Sequence, residues 1–439
     1  MNKVSVIGGG LAGSEAAWQL ARRGIDVDIY EMRPIKSTPA HKTDKFAEIV
    51  CSNSFGANDI SSPAGILKSE LKIYNSLIME CAGNSCVPAG KALAVDRDKF
   101  SSLVTERLAS MPNIEIIREE LSQIPEGAVI VATGPLTSMP LAESLKNLIG
   151  ENYLSFYDAV APIVLAESID SGIAWKAGRY GRDKDYFNCP MNKENYATFY
   201  DALLSAERTV PHDFEIACSF FEGCLPIEEV ARRGFDTLRF GALKPVGLID
   251  PVTGFEPYAV VQLRQDNIEG TMFNLVGFQT SLRWSEQERV FRMIPGLQNA
   301  EFVRFGVMHK NIFVNAPAVL DSSLRLKSFK DKHVYIAGQL TGVEGYMESV
   351  AMGLVAALNM YRSLNNEPCI IYPRESAIGS LLNYLISADK NNFQPMNVNL
   401  GIFPPLDGKK IKKRTERCQM VAERAIKSTL EMAQEYGFV

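Results

Sequence analysis

The chain opens on a short apolar run, Val4 to Ile7, which predicts a buried strand. Ala16, Ala17, Leu20 and Ala21 then fall on one helical face, and Gly24 suits the end of that helix. A second strand follows from Val27 to Tyr30 and stops at Glu31. Further on, residues 48–51 form a β-like run that meets turn residues up to Gly56. The pattern predicts helices over 63–79 and 98–109, and strands over 114–117 and 128–131. The last of these runs into Ala132-Thr133-Gly134-Pro135, a glycine turn. From about residue 156 to 324 the texture changes to β-rich segments crowded with aromatic residues. Within that stretch Ser285-x-x-Glu288 predicts a capping box, opening a short helix that Pro295-Gly296 closes. Residues 332–336 then form a strand into Gly338, and a helix of small residues continues through Ala351, Gly353, Ala356 and Ala357. The expectation is an α/β fold whose first domain, 1–155, resumes over 325–439 after an inserted mixed α+β domain, 156–324.

Composition narrows the setting. The chain has 439 residues, 46% of them hydrophobic and 22% charged, enough for two or three ordinary cores. No 18-residue apolar run is present, so no membrane span is expected. Lys3 leads at once into a strand and a glycine turn, which is not a signal-peptide pattern. The eight cysteines are scattered, with no C-x-x-C pair and no Cys/His metal spacing; no metal is expected, and reduced thiols in the cytoplasm are. A net charge of −5 means that a nucleic-acid partner would need a local basic patch. Lys409, Lys410, Lys412, Lys413 and Arg414 are the candidates, although charge alone reads first as a solvated helix start.

The chemistry begins with Gly8, Gly10 and Gly13, which form G-x-G-x-x-G between strand and helix, with Gly9 inside it. Gly8 permits the tight turn, Gly10 lets backbone N–H groups approach a pyrophosphate, and Gly13 lets helix and strand pack closely. Glu31, 23 residues after Gly8, is placed to bond a free ribose hydroxyl, which fits FAD or NAD and not NADP. The second strand–glycine–helix unit carries Gly338, Gln339, Gly345 and Tyr346. Two such units are what a bipartite, Rossmann-like FAD-binding domain needs: one holds the pyrophosphate, and the other brings a helix N-terminus to the flavin. No second G-x-G-x-x-G appears, so no dedicated nicotinamide domain is expected.

Two thiols have suggestive surroundings. Cys224 precedes Leu225-Pro226-Ile227-Glu228-Glu229-Val230-Ala231-Arg232-Arg233-Gly234, a helix signature whose dipole would favour a thiolate, partly opposed by the two acids. Cys51 sits at a strand-to-turn junction rich in small polar residues. A buried structural role competes with catalysis for both. His309, between apolar segments, reads first as a structural histidine, and Tyr346 as an aromatic that stacks on a ring or packs in the core. Cys81, Cys86, Cys189, Cys218, Cys369 and Cys418 read as structural.

Taken together, these segments resemble the TrmFO family, folate- and FAD-dependent tRNA (uracil-5-)-methyltransferases related to the GidA/MnmG flavoproteins. The likeness spans the whole chain. It rests on Val6-Ile7-Gly8-Gly9-Gly10-Leu11-Ala12-Gly13, Val50-Cys51-Ser52-Asn53-Ser54, Gly223-Cys224-Leu225-Pro226, Arg239-Phe240-Gly241-Ala242-Leu243-Lys244-Pro245, Gln262-Leu263-Arg264-Gln265-Asp266-Asn267, Gly277-Phe278-Gln279-Thr280 and the stretch from Ala337 to Glu348. Gln339 stands where many FAD enzymes carry aspartate, and the long C-terminal region of GidA is missing. The resemblance implies methylation of a T-loop uridine in tRNA, with methylenetetrahydrofolate as carbon source and FAD reduced by NADH or NADPH. It implies Cys224 as the nucleophile on uracil carbon 6 and Cys51 as a second thiol, handling the flavin-bound carbon or a deprotonation. It also implies His309 against the folate ring, Tyr346 beside the isoalloxazine, and the lysines at 409–413 with Arg414 in a tRNA patch. No stable protein partner is expected. The same chemistry on a ribosomal RNA uridine, a small-molecule flavin oxidoreductase, and a non-catalytic FAD-binding subunit are the competing readings.

Overall fold

The computed structural model describes residues 3–38, 40–150, 154–159, 161–181, 183–209, 225–306, 308–329, 333–406 and 413–439. Its first layer grows directly from the opening pattern. Strand β1 (Lys3–Ile7) leads through the glycines into helix α1 (Leu11–Ala21), and the chain returns in β2 (Asp26–Tyr30). Every residue of α1 from Ala12 onward is buried, because the helix is covered on both sides. A small antiparallel sheet follows, made of β3 (Ser54–Ala57), β4 (Cys86–Val87) and β5 (Ala92–Val95), with helices α2 (Pro63–Ile73) and α3 (Leu77–Asn84) between its strands. Then come α4 (Arg97–Ala109), β6 (Ile114–Ile117), β7 (Ala128–Val131) and α5 (Met139–Ile149).

Beyond them the strands turn antiparallel. Strand β8 (Leu154–Ala159) pairs with the later β15 (Met308–Phe313). Between these lie β9 (Ile163–Leu165), β10 (Trp175–Lys176), β11 (Tyr186–Met191), β12 (Ala259–Gln265), β13 (Met272–Leu275) and β14 (Phe302–Arg304), six strands in one sheet ordered β10-β11-β12-β13-β9-β14. Helices α6 (Lys193–Ser205), α7 (Ile227–Arg232), α8 (Thr237–Phe240) and α9 (Trp284–Phe291) accompany it, and the unit has its own core around Phe199, Leu263, Phe278 and Phe291. After α10 (Ala316–Val319), strand β16 (Val334–Ile336) rejoins the first sheet and feeds α11 (Tyr346–Leu364), then α12 (Ala377–Ser387) and α13 (Arg414–Glu435).

The parallel sheet has the order β16-β7-β1-β2-β6. Its register sets Val6 beside Ile29 on one side and beside Ile130 on the other. Val129, Ile130 and Val131 are all fully buried, which explains an apolar run without alternation: both faces of β7 are covered. Each such side chain contributes about 1.5–3 kcal/mol of burial. Helices α1 and α11 pack closely, and a Cβ added to Gly353 would fall onto the carbonyl of Ala12. The fold is thus α/β, Rossmann-like in its parallel sheet, with a mixed unit carried between β8 and β15. Among the described residues no helix is long and apolar enough to cross a membrane, and no cluster of His, Cys, Asp or Glu could hold a metal.

Three local expectations differ from what forms. The helix predicted over 63–79 is two helices, because Asn75 adopts φ +53° and Ser76 caps α3 by accepting from Met79 N at 3.3 Å. The freed carbonyls of Tyr74 and Asn75 are taken by Gln19 Nε2 (3.1 Å) and Trp18 Nε1 (3.2 Å) of α1. The run at 48–51 is no strand; β3 begins only at Ser54. The capping box does not form either. Trp284, stacked on Phe305 at 5.4 Å, takes the first helical position of α9, so Arg283 becomes the cap residue without a side-chain bond.

Candidate functional site

A cleft is lined by Gly8, Gly9, Gly10, Glu31, Arg33 and Thr133, among others. Gly8 has φ +102°, and a Cβ there would meet the Ala132 carbonyl at 2.6 Å. A Cβ on Gly13 would fall onto the Gly8 carbonyl, so strand turn and helix can approach only with glycine at both places. Around Gly10, by contrast, there is open space: nothing lies within 4 Å of the corresponding position. That opening sits at the N-cap of α1, where N–H groups and the helix dipole favour a phosphate.

Glu31 lies in the same cleft and is 6% exposed. Its Oε2 accepts from Gly9 N at 2.9 Å, and its Oε1 accepts from Arg33 Nε at 2.9 Å. Burial resists ionisation here, but the hydrogen bonds and charge of Arg33 outweigh it and hold the carboxyl below its usual range. Arg33 is itself only 2% exposed and also binds Glu48 Oε2 at 2.9 Å. A fixed carboxylate at the end of β2, beside an open helix N-terminus, fits the ribose and pyrophosphate of a dinucleotide such as FAD.

The second glycine unit packs against the start of α1. Gly338 has φ +69°, and a Cβ there would lie 2.7 Å from that of Ala12. Gln339 Nε2 donates to Glu344 Oε2 at 2.8 Å, so the amide is held by a buried acid close to the start of α11. Gly345, at φ +115°, is the cap residue of α11, and Tyr346 is its first residue.

Segment 46–51 joins the two ends. Ala47 N donates to Gly9 O at 2.8 Å, the Phe46 ring stands over Gly9, and Cys51 N donates to Tyr346 Oη at 2.8 Å. Cys51 is half-buried, and burial pushes the Tyr346 phenol well above its ordinary value. The Tyr346 ring meets Phe55 edge-on at 5.7 Å. The backbone of residues 49–53 is tied down by arginines, which is why it forms no strand. Arg97 donates to Ile49 O at 2.7 Å and to Cys51 O, and Arg304 donates to Val50 O. Arg264 donates to Ser52 Oγ at 2.6 Å and to Asn53 Oδ1 at 3.0 Å. Asp266 pairs with Arg97 at 2.8 Å.

The structure therefore brings Gly8, Gly9, Gly10, Gly13 and Glu31 to one cleft, and Cys51 to Tyr346 at the start of α11. Cys224, Lys409, Lys410 and Lys412 lie outside the described residues. The helix after Cys224 begins at Ile227, with Pro226 as its cap residue and not inside its first turn. Glu228 turns into the core to accept from Thr280 Oγ1 at 2.9 Å and from Ser281 N at 2.7 Å. His309 belongs to β15, with its backbone opposite Asp158, and its side chain is not among the described parts. Lys413 is exposed as the cap residue of α13, which Arg414 opens. The sequence alone does not single out Arg97 or Arg304, and Arg264 and Asp266 stand out only as members of one motif; an isolated arginine reads as a surface cation until its partners are known.

The family model described as glucose inhibited division protein A matches residues 3–368. The chain is 57% identical over 427 residues to a protein of Moorella thermoacetica, covering 97% of each. It is 56% identical over 436 residues to one of Desulforudis audaxviator, covering 99% of each. A Listeria innocua protein is 54% identical over 433 residues, covering 98% of this chain and 99% of its own. All three are named methylenetetrahydrofolate–tRNA-(uracil-5-)-methyltransferase TrmFO. Among solved structures, GidA of Aquifex aeolicus superposes with a TM-score of 0.72 at 16% identity, over all of this chain and 74% of that one. The fold and the cleft thus define a flavoprotein of the GidA class. Within that class, the chain belongs to the TrmFO family.

Proposed function

We propose that this protein methylates carbon 5 of a T-loop uridine in tRNA, taking the carbon from methylenetetrahydrofolate and the reducing electrons from FAD. The single observation that carries this reading is the 53–57% identity, along nearly the whole chain, to relatives named for that reaction. The reaction balances as uridine, methylenetetrahydrofolate and reduced FAD giving 5-methyluridine, tetrahydrofolate and oxidised FAD. NADH or NADPH then restores the reduced flavin. The flavin supplies the redox and carbon-relay chemistry when bound; the remaining work falls to the chain's own side chains.

In this proposal, Gly8, Gly9, Gly10 and Gly13 admit the pyrophosphate at the start of α1, and Glu31 holds the ribose. Gly338, Gln339, Gly345 and Tyr346 receive the flavin end at the start of α11. Carbon 5 of uracil is a poor nucleophile until a thiolate adds to carbon 6 and makes an enolate, and Cys224 is assigned that attack. Cys51, tied to Tyr346, is the second thiol and acts at the carbon being transferred or on the carbon-5 proton. His309 stacks on the folate ring, and Lys409, Lys410, Lys412, Lys413 and Arg414 meet the tRNA backbone. The division at 156 and 324 belongs to the same proposal; it is supported by the parallel sheet drawing on β1, β2, β6, β7 and β16 while β9–β14 form a separate sheet. Among the described residues Cys81, Cys86, Cys189, Cys369 and Cys418 are free thiols, which suits a cytoplasmic enzyme.

The test is reconstitution. Purified protein, unmodified tRNA, methylenetetrahydrofolate and NADH or NADPH are combined, and the nucleosides are analysed. Ribothymidine is expected from the wild type, and none from Cys51→Ala or Cys224→Ala, while both variants stay yellow with bound flavin. Flavin turnover on a small amine or thiol with no ribothymidine would reject the proposal. Methylation of ribosomal RNA and not of tRNA would replace the substrate.

A further inference from the structure

The segment carrying Cys51 is held almost entirely by side chains from distant elements. Arg97 of α4 takes the carbonyls of Ile49 and Cys51, Arg304 of β14 takes that of Val50, and Arg264 of β12 takes Ser52 and Asn53. Tyr346 of α11 accepts from Cys51 N. Asn53 is fully buried and ties the segment onward, donating to Val95 O at 3.0 Å and to Gln265 O at 3.1 Å.

Direct ion pairing is uneven among the described residues. Asp266, 2% exposed, pairs with Arg97, but among the described ion pairs none joins a carboxylate to Arg264 or Arg304. Arg264 is 7% exposed. Burial pulls both guanidiniums below their usual range; the Tyr186 phenol and Asp266 oppose that pull on Arg264, the Tyr346 phenol and Asp266 oppose it on Arg304, and a negative sulfur at Cys51 adds to the opposition on each. Among the described residues, the charged and titratable groups around the Cys51 segment include Arg97, Arg264, Arg304, Asp266 and the phenols of Tyr346 and Tyr186, so that cations outnumber carboxylates in this set. An uncompensated buried cation is costly, and an anion placed beside it lowers that cost.

We propose that Arg97, Arg264 and Arg304, with Asp266, form a clamp that fixes the Cys51 segment against Tyr346 and favours its sulfur as the thiolate. Two of the arginines come from the antiparallel unit, so the clamp also makes the geometry of this thiol depend on how that unit is seated. These are positioning residues, acting through Cys51. The inference rests on Cys51 being a working thiol, as proposed above.

Alkylation by iodoacetamide, followed on the Cys51 peptide by mass spectrometry between about pH 5 and 10, reads the thiolate directly. In the flavin-loaded protein, Arg264→Met and Arg304→Met should each move the midpoint up by about one unit, giving about tenfold slower alkylation near neutrality. Arg304→Lys keeps the charge and should stay close to the wild type, which a merely structural role would not require. Unmoved midpoints in both Met variants would overturn the clamp. Should a Met variant fail to fold, Arg304→Gln and Arg304→Lys decide in its place: the Gln midpoint must rise and the Lys midpoint must not. Cys51→Ala separates the two claims. If it still methylates tRNA, the thiol is not catalytic; if it is inactive while the midpoints stay put, only the clamp fails.

Discussion

Glu31 shows how much one side chain can do in this fold. Its two oxygens join the glycine turn, through Gly9 N, to a buried guanidinium at Arg33, and Arg33 reaches on to Glu48. Replacing Glu31 by Gln keeps the shape but removes the charge that Arg33 was desolvated against. The expected cost is about 3 kcal/mol, the low end for breaking a buried pair, because Glu48 still accompanies the arginine. Thermal melting and the flavin absorbance per chain check this: both should fall, and an unchanged melt with full flavin would refute the role. Glu31 and the glycines were legible in the sequence because their chemistry depends on local spacing. The three arginines were not, since positions 97, 264 and 304 meet residues 49–53 only after folding. The opposite error also occurred: residues 48–51 look like a strand, yet side chains have claimed their carbonyls.

Helix boundaries follow the same division. The start of α11 at Tyr346 was readable to the residue and that of α1 to within a turn, because glycine turns mark them. The break between α2 and α3 was not, since it depends on Gln19 and Trp18 of another helix receiving the carbonyls of Tyr74 and Asn75. Asn75 holds φ +53° at an exposed position, where asparagine and glycine are tolerated and a β-branched residue is not. Asn75→Val should therefore cost about 1–2 kcal/mol, while Asn75→Gly should leave stability within a few tenths. Urea unfolding of both variants tests this; equal midpoints would show that the break tolerates an ordinary backbone. The capping box at Ser285 failed for a related reason. Trp284 stacks on Phe305 and the helix starts two residues earlier than the box predicts, forgoing a cap bond of about 1 kcal/mol.

Among the described residues two main cores are joined by polar contacts such as Arg97–Asp266 and Asn53–Gln265, and the C-terminal helices close over the first. At that closure Glu70 of α2 is fully buried, accepting from Ala377 N at 2.6 Å and Ile378 N at 3.0 Å at the start of α12. Burial outweighs these bonds and raises its carboxyl to about 8. The folded state therefore prefers the protonated acid. Its contribution is complete below the ordinary carboxylate range and is lost as pH climbs towards 8. Glu70→Gln should remove that dependence, so wild type and variant should diverge between about pH 5 and 8, with the variant relatively more stable at the alkaline end. Parallel pH–stability curves would contradict the assignment. The alternation of two sheets was visible in the sequence as a change of texture near residue 156, but the six-strand order of the inserted unit was not, because pairing across loops leaves no local mark. The central claim, that a folate carbon and flavin electrons make the methyl group on tRNA, is tested most directly with methylenetetrahydrofolate deuterated at the transferred carbon. If it holds, ribothymidine from the product tRNA carries two deuterium atoms in its methyl group and forms only when NADH or NADPH is present; a methyl group free of deuterium would contradict it.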